Sequence, residues 1–126
     1  MYNTPPCYTI YVAGEVFKYL LANGGIPAMH EKDVRKAQKI YDYLDSSKLF
    51  RGTVAKEDRS LMNIPFVTGD PELDKEFIAG TKERNMINLK GHRIAGGMRA
   101  SVYNAFPEEG VDALIEYMKE FEAAHK

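Results

Sequence analysis

Apolar positions recur along this chain with two periods, and the two periods divide it into helices and short strands. Ile10, Ala13, Phe17 and Leu20 repeat at helical spacing, and Asn23-Gly24-Gly25 then supplies residues that readily take the left-handed conformation ending a helix. The spacing predicts a first helix over roughly residues 7–22. Val34, Ala37, Ile40, Tyr41 and Leu44 mark one face of a second, longer helix that stops at Asp45-Ser46-Ser47. The charged run from Glu31 to Lys39 reads as the solvated face of that helix. A short strand is expected around Phe50 to Val54. Between Leu61 and Val67, Met62, Ile64 and Phe66 alternate with polar or smaller residues, which is strand periodicity. Pro65 has no N–H for a ladder, so this strand is expected to leave one side unpaired.

Asp70-Pro71-Glu72 is a helix start, because an aspartate accepts from orphan N–H groups and proline fits the first helical position. The helix should run from 71 to about 84. Met86–Leu89 and Met98–Tyr103 are read as two strands flanking a glycine-rich loop, the second with Met98, Ala100 and Val102 inward and Arg99, Ser101 and Tyr103 outward. After Pro107, Val111, Leu114, Ile115, Met118 and Phe121 form the apolar stripe of a final helix. Connections too short for helical crossovers make the sheet largely antiparallel. The expected fold is α/β of the α+β type, with a small, mainly antiparallel sheet covered by helices on one face.

Composition narrows the function classes. With 126 residues the chain can bury one core. A formal charge of −1 supplies no global field toward nucleic acid or a membrane surface, so any anion site must be local. No apolar run reaches the roughly 20 residues of a membrane span. The single cysteine, Cys7, excludes an internal disulfide, fits a cytoplasmic setting and is expected to be a packed thiol. No spacing of His, Cys, Asp or Glu resembles a metal site. His30 and His125 fall on polar helical faces and are expected in solvent.

The chemistry concentrates in Lys90-Gly91-His92-Arg93-Ile94-Ala95-Gly96-Gly97-Met98-Arg99-Ala100-Ser101. Glycines let backbone N–H groups approach a ligand, and arginines present planar forks that match carboxylate or phosphate oxygens. Such a segment suits a small, multiply charged anion. Each residue also has a plainer reading: His92 as a loop residue, Arg99 paired with a surface carboxylate, Arg93 and Lys90 in solvent. An RNA-binding loop is disfavoured because no basic surface surrounds these cations.

Two motifs together carry a family resemblance: Asn3-Thr4-Pro5-Pro6 with its following helix, and Gly91-His92-Arg93 followed by Gly96-Gly97-Met98-Arg99-Ala100-Ser101-Val102-Tyr103-Asn104. The chain resembles the C-terminal part of the phosphoserine aminotransferases, pyridoxal-phosphate enzymes of fold type I. Asn23-Gly24-Gly25, Phe50-Arg51-Gly52, Asp58 to Asn63 and Pro107 to Val111 extend the likeness almost from end to end.

The resemblance implies amino transfer from L-glutamate to 3-phosphohydroxypyruvate, giving O-phospho-L-serine and 2-oxoglutarate for serine biosynthesis, with an analogous step toward pyridoxine in bacterial members. It assigns Asn3 and Thr4 to the cofactor phosphate of a neighbouring subunit, His92 and Arg93 to the substrate's phosphate or distal carboxylate, and Arg99 to its α-carboxylate. The implied partners are these small substrates, a large domain and the second subunit of a homodimer, with no nucleic acid and no membrane. Residues 1–22 are expected to be an interdomain segment and helix that follows the large domain, and 23–126 the small domain. The family's Schiff-base lysine, the acidic partner of the pyridine nitrogen and the ring stacked on the cofactor lie upstream of the Asn-Thr-Pro-Pro motif. No position here matches them, so these residues alone are expected to hold no pyridoxal phosphate and to catalyse nothing, and Ile10, Phe17 and Leu20 are expected to lie exposed or paired with another chain. The alternative is a self-standing module that binds phosphorylated metabolites or a protein through the glycine-rich loop.

Overall fold

The computed structural model describes residues 2–125. The chain separates into two compact units, residues 1–32 and 33–126, with the boundary inside the second helix.

The first unit is built on helix α1, Cys7–Ala22. Rigid Pro5-Pro6 precedes it, and Asn23 closes it by donating from Nδ2 to the Tyr19 carbonyl at 2.8 Å. No residue of α1 is buried, and Ile10 and Phe17 are 58% and 63% exposed. Cys7 is not the packed thiol expected: it is exposed on the first turn, its Sγ 3.4 Å from the Pro5 carbonyl. Gly24 adopts φ +91°, and a Cβ there would stand 2.8 Å from that of Ala28, so only glycine turns the chain this tightly into helix α2, Gly25–Ser46.

The second unit takes its sheet from three antiparallel strands in the order β1-β2-β3: β1 Arg51–Gly52, β2 Asn63–Val67 and β3 Met98–Ser101. Helices α3, Pro71–Glu83, and α4, Glu108–Ala124, complete it. Ile64, Phe66, Met98, Ala100 and Val102 are buried on one sheet face, while Asn63, Pro65, Arg99 and Ser101 on the other are half-buried. Phe50, Phe66, Phe77 and Phe121 interlock beneath the covered face, Phe77 with its centroid 5.0 Å from Phe50 and stacked at 4.9 Å on Tyr117. Such rings bring large apolar area and directional edge contacts to one small core.

Three expectations need correction. Pro65 sits in the central strand, not on an open side. It opposes Arg99, whose N–H donates instead to the Leu89 carbonyl at 2.7 Å, so nothing is lost on that flank. The missing N–H falls on the other flank, just past the end of β1, where the Pro65 carbonyl still accepts from Thr53. Met86–Leu89 forms no strand, because Asn85 and Asn88 take positive φ of 60° and 64° and break the extended path. His125 is no solvated residue: its ring stacks on Phe121 at 4.1 Å, with Nδ1 2.8 Å from the Phe121 carbonyl and Nε2 3.2 Å from Glu76.

The largest correction concerns the face of α2. Val34, expected inside, is exposed, whereas Asp33 and Lys36 continue the buried stripe of Ala37, Ile40, Tyr41 and Leu44. Lys36 is fully buried. Its Nζ lies 3.1 Å from Asp33 Oδ1 and donates toward the carbonyls of Val102, Tyr103, Asn104 and Phe106, closest at 2.7 Å to Tyr103. Asp33 Oδ1 has no aligned hydrogen bond, so the pair is held by charge and proximity while the carbonyls take the directed donors. A buried ammonium without such partners would be far too costly to desolvate.

Outside this cluster, Arg59 reaches from its loop to Asp45 and lies 4.4 Å over the Tyr41 ring, and Tyr41 Oη donates to the Ser60 carbonyl at 2.9 Å. Lys39 bridges α2 to Glu108 and Asp112 of α4 at 2.8 and 2.7 Å.

Replacing Lys36 by Met leaves Asp33 buried without its counter-charge and should cost about 3–5 kcal/mol in urea unfolding. The double variant Asp33→Asn/Lys36→Met should recover part of that loss, because no unpaired charge remains; an additive or greater loss would contradict the pairing. At the other end of α2, the Arg59 hydrogen bond, assisted by Lys56, holds the Asp45 carboxyl well below the usual carboxylate range. A depressed carboxyl stabilises the fold above its unfolded value and loses that contribution as pH falls through the folded one. Unfolding midpoints measured downward from pH 5 should therefore fall more steeply in the wild type than in Asp45→Asn, and parallel curves would remove the effect.

Candidate functional site

The glycine-rich segment folds as a closed loop ahead of β3. Gly91 N donates to the Gly97 carbonyl and Gly96 N to the His92 carbonyl, both at 2.8 Å, and Lys90 forms an isolated bridge with Met98. Gly97 is the point pressed against β2: at φ +62°, a Cβ would stand 2.5 Å from Val67 Cγ1 and 2.8 Å from the Phe66 carbonyl oxygen. Pinned there, the loop exposes Lys90, His92, Arg93 and Ile94. His92 Nδ1 accepts from Ile94 N–H at 3.3 Å, which turns the ring back along its own loop.

His92 and Arg93 share a cavity of about 310 Å³ with Lys90 and with Asp74, Lys75 and Ile78 of α3. The Asp70 side chain caps α3 through Glu72 N–H at 2.8 Å. Asp74 Oδ1 is engaged by the Thr68 N–H and hydroxyl at 2.9 and 2.7 Å, which leaves Lys90, Arg93 and the His92 imidazole around one committed carboxylate, with Lys75 paired to Glu72 at 2.7 Å. Nothing in the sequence pattern singles out Asp74 or Lys75; only the packing of loop on helix brings them in.

Arg99 stands apart from this cluster. It lies half-buried in β3 and lines a second cavity of about 360 Å³, walled mainly by Met86, Leu89, Val102, Phe106 and Leu114. Its Nε is buried and makes no hydrogen bond. A guanidinium N–H held out of water without an acceptor is an unmet donor, and a carboxylate is the group that meets it best. Ser101 on the same strand and Tyr103 just beyond it donate to Asn63 Oδ1 at 3.2 and 3.4 Å. The structure thus brings His92 and Arg93 together and sets Arg99 on a neighbouring cavity of the same loop-and-strand unit. In the first unit, Asn3 and Thr4 are exposed ahead of α1, and neither side chain hydrogen-bonds within the described residues. Among the described residues no group of His, Cys, Asp and Glu is arranged to hold a metal ion, and no helix is long and apolar enough to cross a membrane.

A profile of the class-V aminotransferases matches residues 1–114. The chain belongs to that family. Over 126 residues it is 52% identical to the phosphoserine aminotransferase of Lactiplantibacillus plantarum, and over 122 residues 53% identical to that of Paraburkholderia phytofirmans. It spans 35% and 34% of the length of these two relatives. Among solved structures, phosphoserine aminotransferase from Bacillus circulans subsp. alkalophilus matches 99% of this chain with a TM-score of 0.95 and 41% identity, over 35% of its own length. The pyridoxal-phosphate-bound phosphoserine aminotransferase of Trichomonas vaginalis matches 94% with a TM-score of 0.87 and 42% identity, over 34% of its length. The resemblance seen in the glycine-rich and Asn-Thr-Pro-Pro motifs is therefore a family relationship, and the α+β fold is that of these aminotransferases.

Gly96 and Gly97 separate two effects of this class-V loop. Gly96 also has positive φ but open space around it, so Gly96→Ala should cost about 1–2 kcal/mol for conformation alone. Gly97→Ala adds the clash with Val67 and Phe66 and should lose clearly more in the same denaturant titration; equal losses would show that the close approach is not needed.

Proposed function

We propose that these residues form the substrate-end domain of a phosphoserine aminotransferase, which moves the amino group of L-glutamate to 3-phosphohydroxypyruvate. The observation that carries the reading is Arg99: a buried guanidinium N–H without an internal acceptor, on the strand that issues directly from a loop of cations. Both substrates carry an α-carboxylate, and Arg99 serves as its fork. Their distal groups differ, one a phosphate and one a carboxylate. Exposed His92 and Arg93, on a loop that closes its own backbone and turns their side chains to solvent, accommodate either anion better than a shaped apolar slot would.

The residues ahead of α1 fit a phosphorylated cofactor. Asn3 offers amide N–H donors and Thr4 a hydroxyl, both exposed and unengaged within the described residues, and Pro5-Pro6 limits the entropy lost on ordering them. Pyridoxal phosphate, when bound, supplies the electron sink for amino transfer. Asn3 and Thr4 would hold its phosphate from a neighbouring subunit, so a homodimer in the cytoplasm is part of this reading. The 126 residues supply substrate-binding groups; the lysine that carries the cofactor is not among their matched positions, and they do not catalyse the transfer by themselves.

The test compares two proteins in a coupled assay with L-glutamate, 3-phosphohydroxypyruvate and added cofactor. The 126-residue chain should show no transfer above background, and a longer protein containing it should be active. In that longer protein Arg99→Met should lower kcat/KM for both substrates by about 10²-fold or more, while His92→Asn should fall chiefly on the phosphorylated one. Full activity in Arg99→Met would contradict the assignment.

A further inference from the structure

Buried Lys36 takes no part in the site as described, yet its contacts end on the residues that directly follow the strand carrying Arg99. We propose that Lys36 is a positioning residue for Arg99: its ammonium anchors the exit of β3, and that anchor sets the direction of the guanidinium. The proposal rests on the reading of Arg99 as the carboxylate fork.

Arg99 has few other supports. Its side-chain Nε makes no hydrogen bond, so the guanidinium is directed by the apolar walls of its cavity and by the backbone that carries it. That backbone is held by the pairing of its neighbours Met98 and Ala100 with β2, and by Leu89 on the other flank. Arg99 opposes Pro65 at a position where neither backbone bonds across the pair, and the Arg99 N–H points away from β2 to the Leu89 carbonyl at 2.7 Å. The pose of the strand at this position is set by that ladder together with its two ends. At the entry, Gly97 wedges against Phe66 and Val67, and Lys90 bridges Met98. At the exit, Val102 N–H reaches the Met62 carbonyl at 2.8 Å, and the next carbonyls converge on Lys36 Nζ, at 3.3 Å from Val102 and 2.7 Å from Tyr103. The same ammonium takes the Asn104 and Phe106 carbonyls at 3.4 and 3.3 Å, which fixes the turn that brings Phe106 against the Arg99 cavity. A cation with Asp33 beside it and four carbonyls around it is a rigid post; an apolar residue of similar length would fill the space and direct nothing.

The experiment uses the isotopically labelled 126-residue chain and follows the Arg99 Nε–H resonance. In the wild type its order parameter should be high, and L-glutamate should shift it, whereas inorganic phosphate should shift His92 and Arg93 instead. In Lys36→Met the Arg99 order parameter should drop into the flexible range, below about 0.6, and the affinity for L-glutamate should weaken about tenfold, with the phosphate response at His92 unchanged. The double variant Asp33→Asn/Lys36→Met, which buries no lone charge, should behave alike even if the single variant does not fold. Phe121→Leu, a change among the aromatic rings with Phe50 and Phe77 and not at the β3 exit, should lower stability and leave Arg99 as rigid as before. An Arg99 that stays ordered and binds L-glutamate unchanged in the Lys36 variants, or one that loosens equally in Phe121→Leu, overturns the positioning role. If instead Arg99→Met and the wild type bind L-glutamate identically, the carboxylate-fork reading itself fails, and the proposal falls with it.

Discussion

A buried ammonium organises the larger unit of this protein. Lys36 occupies the centre of a helix face that is otherwise Ala37, Ile40, Tyr41 and Leu44, and it is tolerated there because Asp33 and four carbonyls replace its water. The same contacts answer a question posed by the chain beyond β3. Past the Val102 N–H bond to Met62 the chain leaves the ladder, and one side chain of α2 supplies donors to the carbonyls of Val102, Tyr103, Asn104 and Phe106, of which Tyr103 also accepts from Phe106 N–H. Helix, strand exit and the start of α4 are thereby tied at one point, and the aromatic cluster of Phe50, Phe66, Phe77 and Phe121 packs beside that fixed frame.

The proposed chemistry follows from where the frame is rigid and where it is not. The 91–97 loop is closed by its own backbone and wedged at Gly97, while its cations reach into solvent over α3. Arg99, a few residues on, is drawn half inside. On the proposed reading, the exposed His92 and Arg93 would meet distal groups that differ, and the half-buried Arg99 the carboxylate that both proposed substrates share. The two cavities are separate in this chain, and the loop-to-strand connection is what links them.

Much of this was legible from residues alone because local rules and packing agree. Asp70-Pro71 caps α3 as its chemistry requires, α1 ends at Asn23, and Met98, Ala100 and Val102 face inward as alternation demands. The exceptions have physical causes. Pro65 looked like an edge residue, but its missing N–H falls where β1 has already ended. Met86–Leu89 looked extended, but two asparagines in left-handed conformations bend it. Lys36 was hidden by its type: 33, 36, 37, 40, 41 and 44 form one continuous helical stripe, and reading charge as solvated face placed Val34 inside instead. The stripe itself was the available signal. The cavity shared by His92, Arg93 and Lys75 was not readable, since no sequence pattern states which helix a loop will lie on.

The most direct test of this account is a measurement of scalar coupling across hydrogen bonds, from Lys36 Nζ to the carbonyl carbons of Val102 and Tyr103, in the labelled chain. The account predicts resolved couplings, the one to Tyr103 strongest in keeping with its 2.7 Å contact, from an ammonium whose protons exchange slowly with water. A Lys36 ammonium that exchanges as fast as those of exposed lysines and couples to neither carbonyl would contradict it.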